Sequence, residues 1–202
     1  MTKLGRPLVK SADDRRKEIF ASAEKLFGEK GYEHVTMSEI ATEVGMSKKT
    51  LYVHFEDKRE LLKSLVMSSY IWSQDSFEPQ NLTPIEELKH CLIMIAQHVL
   101  SERHIKLCRL AISESMSLDG LSQTFYEMGV STSRKHLIEA IQKIGSNAYQ
   151  LNLETEILAD TLFGATIGKP FVDLLFINQH IDFELVKQHI EVVVNAMFRL
   201  SL

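Results

Sequence analysis

Apolar residues recur along this chain at helical spacing from residue 19 almost to the C-terminus. Ile19, Ala23, Leu26 and Phe27 make one stripe over residues 12–30, which Gly31 closes. Ile40, Ala41 and Val44 make a second, shorter one, and Leu51 and Phe55 stand four apart on a third. From Asp57 a fourth helix of about 20 residues turns Leu61, Leu62, Leu65, Val66 and Ser69 inward. The run PQNLTP, residues 79–84, is the clearest break, and Thr83-Pro84 reads as a helix opening. Beyond it, Ile85, Leu88, Leu92, Ile95 and Val99 start a series of helices. A helix over about 103–116 follows, then a turn at Asp119-Gly120 and a long helix over 121–144 ended by Gly145 and Asn147. Two more run over about 154–176 and 183–200. No strand pattern competes, so the predicted fold class is all-α.

Residues 36–58 carry the most specific chemistry. Thr36, Ser47 and Asp57 each precede a helix start, where a side-chain oxygen can accept orphan backbone N–H groups. Glu39 stands three residues after Thr36, the capping-box spacing, and Gly45 can adopt the left-handed conformation between two helices. With Leu51 and Phe55 turned to the core, about 100° per residue leaves Lys49 and Val53 opposite, flanked by Thr50 and Tyr52. A short, basic, hydroxylated helix presented after a tight turn is helix-turn-helix geometry, suited to the DNA major groove.

The run from Thr36 through Ile40-Ala41, Val44-Gly45-Met46-Ser47, Thr50-Leu51-Tyr52 and His54-Phe55 to Lys58 resembles the N-terminal domain of the TetR/AcrR transcriptional repressors. The likeness covers roughly residues 12–62, and its most specific part is the Leu-Tyr-x-His-Phe-x-x-Lys ending. Many members carry a small residue where this chain has Lys49, which adds a positive charge to the groove-facing side. The resemblance implies an N-terminal DNA-binding domain over residues 1–60 and an effector-binding and dimerisation domain over 61–202. It implies DNA contacts by Thr36, Ser47, Lys48, Lys49, Thr50, Tyr52, His54 and Lys58, the last as a phosphate grip at the start of the fourth helix. Base readout would fall to Lys49, Thr50 and Tyr52. On the structural alternative the hydroxyls only cap and Tyr52 only packs. Residues 100–170 resemble, more loosely, the ligand domains of the AefR-like subgroup.

Charge changes the picture only when the chain is split. Its net charge of −4 argues against a nucleic-acid binder. Residues 1–60, however, hold 12 Lys/Arg against 11 Asp/Glu, leaving 11 against 16 for the rest. Lys3, Arg6 and Lys10 form an acid-free arm, either a phosphate or minor-groove contact or a solvated tail. The fourth helix would link the two domains mechanically by its position, its far end near Trp72.

The last two predicted helices are apolar over more than one stripe, with Gly164 and Gly168 four apart, so they are either central or shared with a partner. In the TetR/AcrR family the last two helices pair with their copies, which would put Gly164, Gly168, Phe171, Val193 and Met197 in a homodimer interface. An intrachain core is the alternative. Pro170 should bend its helix. Trp72, Met94, His98, Phe125 and Met128 are candidates to line a cavity for a small hydrophobic or amphipathic effector, or else plain core.

Enzymatic chemistry has little footing. There is no glycine-rich phosphate loop and no triad that spacing can justify, and His104 and Cys108 lack a third metal ligand nearby. No cofactor or metal is expected. Cys91 and Cys108 do not make a disulfide framework, no apolar run approaches a membrane span, and the first ten residues lack a signal-peptide core. The expectation is a cytoplasmic, ligand-responsive repressor that binds a palindromic double-stranded operator as a dimer. A constitutive DNA-binding protein and, less favoured, an enzyme using the helical cavity are the alternatives.

Overall fold

The computed structural model describes residues 11–69, 82–114, 123, 125–145, 153–177 and 180–198. All regular structure among them is helical, as the periodicity predicts. The basic arm, Trp72 and the Asp119-Gly120 turn lie outside the described residues. The chain divides after Ser68 into two compact units.

The first unit holds α1 (Ala12–Lys30), α2 (Met37–Val44), α3 (Lys48–His54) and α4 (Lys58–Ser69). Ser11 opens α1 by accepting the Asp14 N–H, and Gly31 closes it at φ 80°. The predicted stripes meet in one core: Ile19, Ala23, Ile40, Leu51, Phe55, Leu61, Leu62 and Leu65 are all essentially inaccessible. Burying each of the larger side chains contributes about 1.5–3 kcal/mol relative to leaving it in water. Phe20 and Phe55 pack with ring centroids 5.7 Å apart, and the Arg16 guanidinium covers both rings. The expected inward side of α4 is found, although Ser69 is only half-buried.

The second unit opens with α5 (Pro84–Val99), started by a full capping box between Thr83 and Glu86 with Pro84 in the first turn. It continues through α6 (Glu102–Ser113), a π-helical turn at Tyr126–Ser131, α7 (Thr132–Ile144), α8 (Thr155–Phe163), a second π turn at Gly164–Gly168, α9 (Lys169–Ile177) and α10 (Phe183–Met197). α5 packs against α7 and α10, and α7 against α8. Leu88, Leu92, Ile95, Leu158, Leu162 and Ile190 fill the space between them without exposure. Arg109 on α6 donates from Nε to the Leu175 carbonyl at 3.0 Å and from Nη2 to that of Leu174 at 2.7 Å. It thereby holds two carbonyls in the last described turn of α9.

Two departures from the predicted helices matter. The segments expected as uniform α-helices over 121–144 and 154–176 each contain a π turn. The second has a local cause. Pro170 carries no N–H for the Thr166 carbonyl four residues earlier, and a π turn reaches five residues on instead. The buried Thr166 hydroxyl also donates to the Leu162 carbonyl at 2.6 Å, which weakens the α ladder there. The distortion expected at Pro170 thus takes the form of a π turn just before it.

Candidate nucleic-acid interface and ligand cavity

In the first unit, local chemistry sets the turn between α2 and α3. Thr36 accepts the Glu39 N–H at 3.2 Å while the Glu39 carboxylate accepts the Thr36 N–H at 2.9 Å. The same carboxylate pairs with Lys30 at 2.8 Å. Lys30, followed by the backbone and hydroxyl of Thr36, holds Glu39 down to about 2. Gly45 closes α2 at φ 74°, ψ 35°, and its N–H reaches the Thr42 carbonyl while that of Met46 reaches Ala41. This is a Schellman closure, which a residue with a Cβ adopts only under strain. Ser47 then starts α3 by accepting the Thr50 N–H at 3.1 Å, with its hydroxyl 2.8 Å from that of Thr50.

The face of α3 turned away from Leu51 carries Lys48, Lys49, Thr50, Tyr52 and Val53, all exposed, Val53 to 79%. Lys48 leans over the Tyr52 ring, with Nζ 5.7 Å from its centroid. The acids of α2 are drawn the other way, Glu43 to Lys25 at 2.7 Å and Glu39 to Lys30. Among the described residues neither Lys48 nor Lys49 has an ion pair. A hydroxylated, aromatic and basic surface results, with the carboxylates of α2 compensated, and it offers hydrogen-bond donors and charge to a polyanion.

In the second unit a cavity of about 290 Å³ opens among α5, α6, α7, α8, α9 and both π turns. Phe125, Leu137, Phe163 and Phe171 give it apolar walls, and His98, His104, Cys108, Ser133 and the pair Arg134–Asp160 supply the polar atoms. The His98 and His104 rings lie 4.7 Å apart, and Phe125 packs 5.6 Å from His104. Burial, then the charge of Arg103, lowers the His98 pKa. Burial, then His98, pushes His104 down to about 3, so both imidazoles are neutral at pH 7. Burial pushes Cys91 and Cys108 up to about 12, which leaves both as unreactive thiols. Arg134 grips Asp160 with two hydrogen bonds, Nε to Oδ1 at 2.7 Å and Nη2 to Oδ2 at 3.1 Å. Among the described residues no three His, Cys, Asp or Glu side chains converge as a metal set.

Residues 19–65 match the family described as bacterial regulatory proteins, tetR family. This segment is a TetR-family helix-turn-helix domain. An HTH-type transcriptional regulator of Staphylococcus aureus (strain USA300) is 46% identical to the chain over 52 residues. That match covers 26% of this chain and 28% of the relative, so it too is confined to about a quarter of each protein. The fold as a whole is shared more widely. A Mesorhizobium loti MAFF303099 protein described as a TetR-family transcriptional regulator superposes with a TM-score of 0.76 at 25% identity, over 93% of this chain and 96% of its own. The flavonoid-responsive regulator FrrA superposes with a TM-score of 0.70 at 20% identity, over 94% and 100%.

Within the TetR-family domain, the residues expected at DNA divide by what else they do. Lys48, Lys49, Thr50 and Tyr52 share the exposed face of α3. Thr36 and Ser47 are engaged as caps, with their side chains still at the surface. His54 is half-buried beside Phe55. Lys58, expected to grip a phosphate, spends its ammonium inside the domain: Nζ donates to the Tyr32 carbonyl at 2.7 Å and lies 4.1 Å from the centre of the Tyr32 ring.

Of the cavity candidates, His98 and Phe125 line the cavity, Met94 and Met128 are not among its lining residues, and Trp72 lies outside the described residues. Arg134, Asp160, Phe163 and Ser133 line it without having been anticipated. His104 and Cys108, weighed in the sequence only as an incomplete metal pair, line it as well. Of the residues expected at a partner, Phe171, Val193 and Met197 pack against the bundle core, Gly164 is exposed and Gly168 half-buried. The exposed apolar surface of α9 and α10 belongs to their neighbours: Val172 (50%), Phe176 (79%), Leu185 (61%) and Val192 (67%). A Cβ built on Gly164 would meet nothing within 4 Å, so no contact among the described residues requires that glycine.

Proposed function

We propose that the protein is a ligand-responsive transcriptional regulator, most simply a repressor, that binds a palindromic operator as a homodimer and leaves it when an effector occupies the C-terminal cavity. The observation that carries the reading is the exposed Lys48–Lys49–Thr50–Tyr52 face of α3, set on a TetR-family domain with the acids of α2 already paired. The exposed apolar surface on α9 and α10 supports pairing of two chains. A two-fold pair would set two recognition helices about 34 Å apart, one turn of DNA. The cavity supports the effector, as does the shared fold of a flavonoid-responsive regulator. Effector binding then lowers operator affinity by no more than the ligand's preference for the DNA-free geometry.

The same reading makes the chain a DNA-binding protein and not an enzyme. It places the protein in the cytoplasm, in keeping with the finding that no helix among the described residues is long and apolar enough to cross a membrane. The family match ends at residue 65, so the AefR-like assignment of the C-terminal unit rests on sequence resemblance alone.

Selection of duplexes from a random pool tests the function directly. The expected product is a palindrome whose affinity falls steeply with salt, and Lys49→Ala and Tyr52→Ala should weaken its binding. Recovery of no preferred duplex at low ionic strength overturns the reading. Binding that no cavity ligand alters leaves a constitutive DNA-binding protein.

A further inference from the structure

The charges around the cavity say what kind of molecule can enter it. Among the described residues only two ionic side chains belong to its lining, Arg134 and Asp160, and they cancel one another through two hydrogen bonds in a fork geometry. Arg103 beside His98 and Glu156 beside Arg134 act at a distance and are not part of the lining. Phe125, Phe163 and Phe171 make the lining aromatic alongside two neutral imidazoles, with Phe125 packed 5.6 Å from His104. A carboxylate or ammonium placed among them would lose its hydration and gain no counter-charge, a cost that neutral groups escape. A hydroxyl or carbonyl fits better, because imidazole and the Ser133 hydroxyl can each donate or accept.

We propose that the effector is an uncharged aromatic molecule bearing hydroxyl or carbonyl groups, and that the Arg134–Asp160 pair excludes its carboxylate analogues by keeping the guanidinium occupied. Asp160 is thus a specificity-determining residue. It competes with any ligand carboxylate for Arg134, and its removal changes which charge the cavity accepts. The inference rests on the cavity being the effector site, but its test is independent of DNA.

Binding of 2-naphthol, 2-naphthoate and 2-naphthylmethylammonium to the full-length protein is measured by calorimetry at pH 7.5. The wild type is expected to bind the neutral naphthol at least tenfold more tightly than either ion. Asp160→Asn, at an exposed position that tolerates an isosteric change, should raise affinity for the naphthoate and shrink that ratio. Val130→Trp, at the exposed edge of the lining, should weaken all binding if the probe occupies this cavity. Equal or tighter binding of either ion by the wild type overturns the proposal. So does a ratio that Asp160→Asn leaves unchanged, binding untouched by Val130→Trp, or no binding of any of the three probes. If naphthol binds as expected but operator affinity is unaffected, the regulatory reading fails while the ligand class stands.

Discussion

The ammonium of Lys58 sits between the carbonyl and the ring of one residue, Tyr32, 2.7 Å from the first and 4.1 Å from the centre of the second. Tyr32 itself packs on Phe27 with ring centroids 5.2 Å apart. One lysine therefore ties the start of α4 to the segment joining α1 and α2. This contact and a phosphate grip compete for the same charge.

Lys58→Ala separates the two roles. Loss of a charge-assisted hydrogen bond and a cation–π contact should lower stability by about 1–2 kcal/mol, read from the urea midpoint. If the internal clamp is its whole role, the slope of log affinity for DNA against log salt stays at the wild-type value. A slope smaller by about 1 would show that Lys58 also neutralises a phosphate.

Gly45→Ala should destabilise the first unit by about 1–2 kcal/mol. The cost is the backbone's, since φ is 74° and a Cβ there would meet nothing within 4 Å. Gly45→Asn should cost less, because asparagine tolerates the left-handed region. Thermal unfolding of both variants checks the order, and equal losses would refute the assignment of the cost to φ.

Phe176→Glu and Val192→Glu place charges on the exposed apolar surface of α9 and α10, away from the buried core. Sedimentation should show the proposed homodimer weakened by about tenfold or more, with helical content retained. Phe171→Ala, by contrast, removes a side chain packed on the core and should act mainly on stability. Unchanged association in both Glu variants would place the interface elsewhere.

His104 gives the second unit an acid sensitivity with a definite sign. Its pKa falls from 6.5 to about 3 on burial, so below pH 6.5 the unfolded chain binds a proton that the folded chain refuses. Stability from this group is complete above pH 6.5 and declines as pH falls toward 3. His104→Phe, which keeps an aromatic ring beside Phe125, should flatten that part of the profile in chemical denaturation at stepped pH. A slope unchanged by the substitution would assign it to other groups.

The helix starts at Thr36, Ser47 and Thr83, the glycine closures at Gly31 and Gly45, and the inward placement of Leu51 and Phe55 follow from the sequence by itself. Each depends on residues within four positions of one another, where capping and helical periodicity operate. The resemblance to the TetR/AcrR family was legible for the same reason, since its motif is one uninterrupted stretch. Tertiary structure alone decided where Lys58 spends its charge and which residues enclose the cavity, because Tyr32 is 26 positions from Lys58 and the cavity draws on five helices. It also decided which stripe of the last helices faces outward. Val192, Val193 and Val194 are consecutive, so periodicity cannot choose among them. The π turn before Pro170 adds a residue to the turn and rotates all that follows, leaving Phe171 half-buried against the core and Val172 exposed.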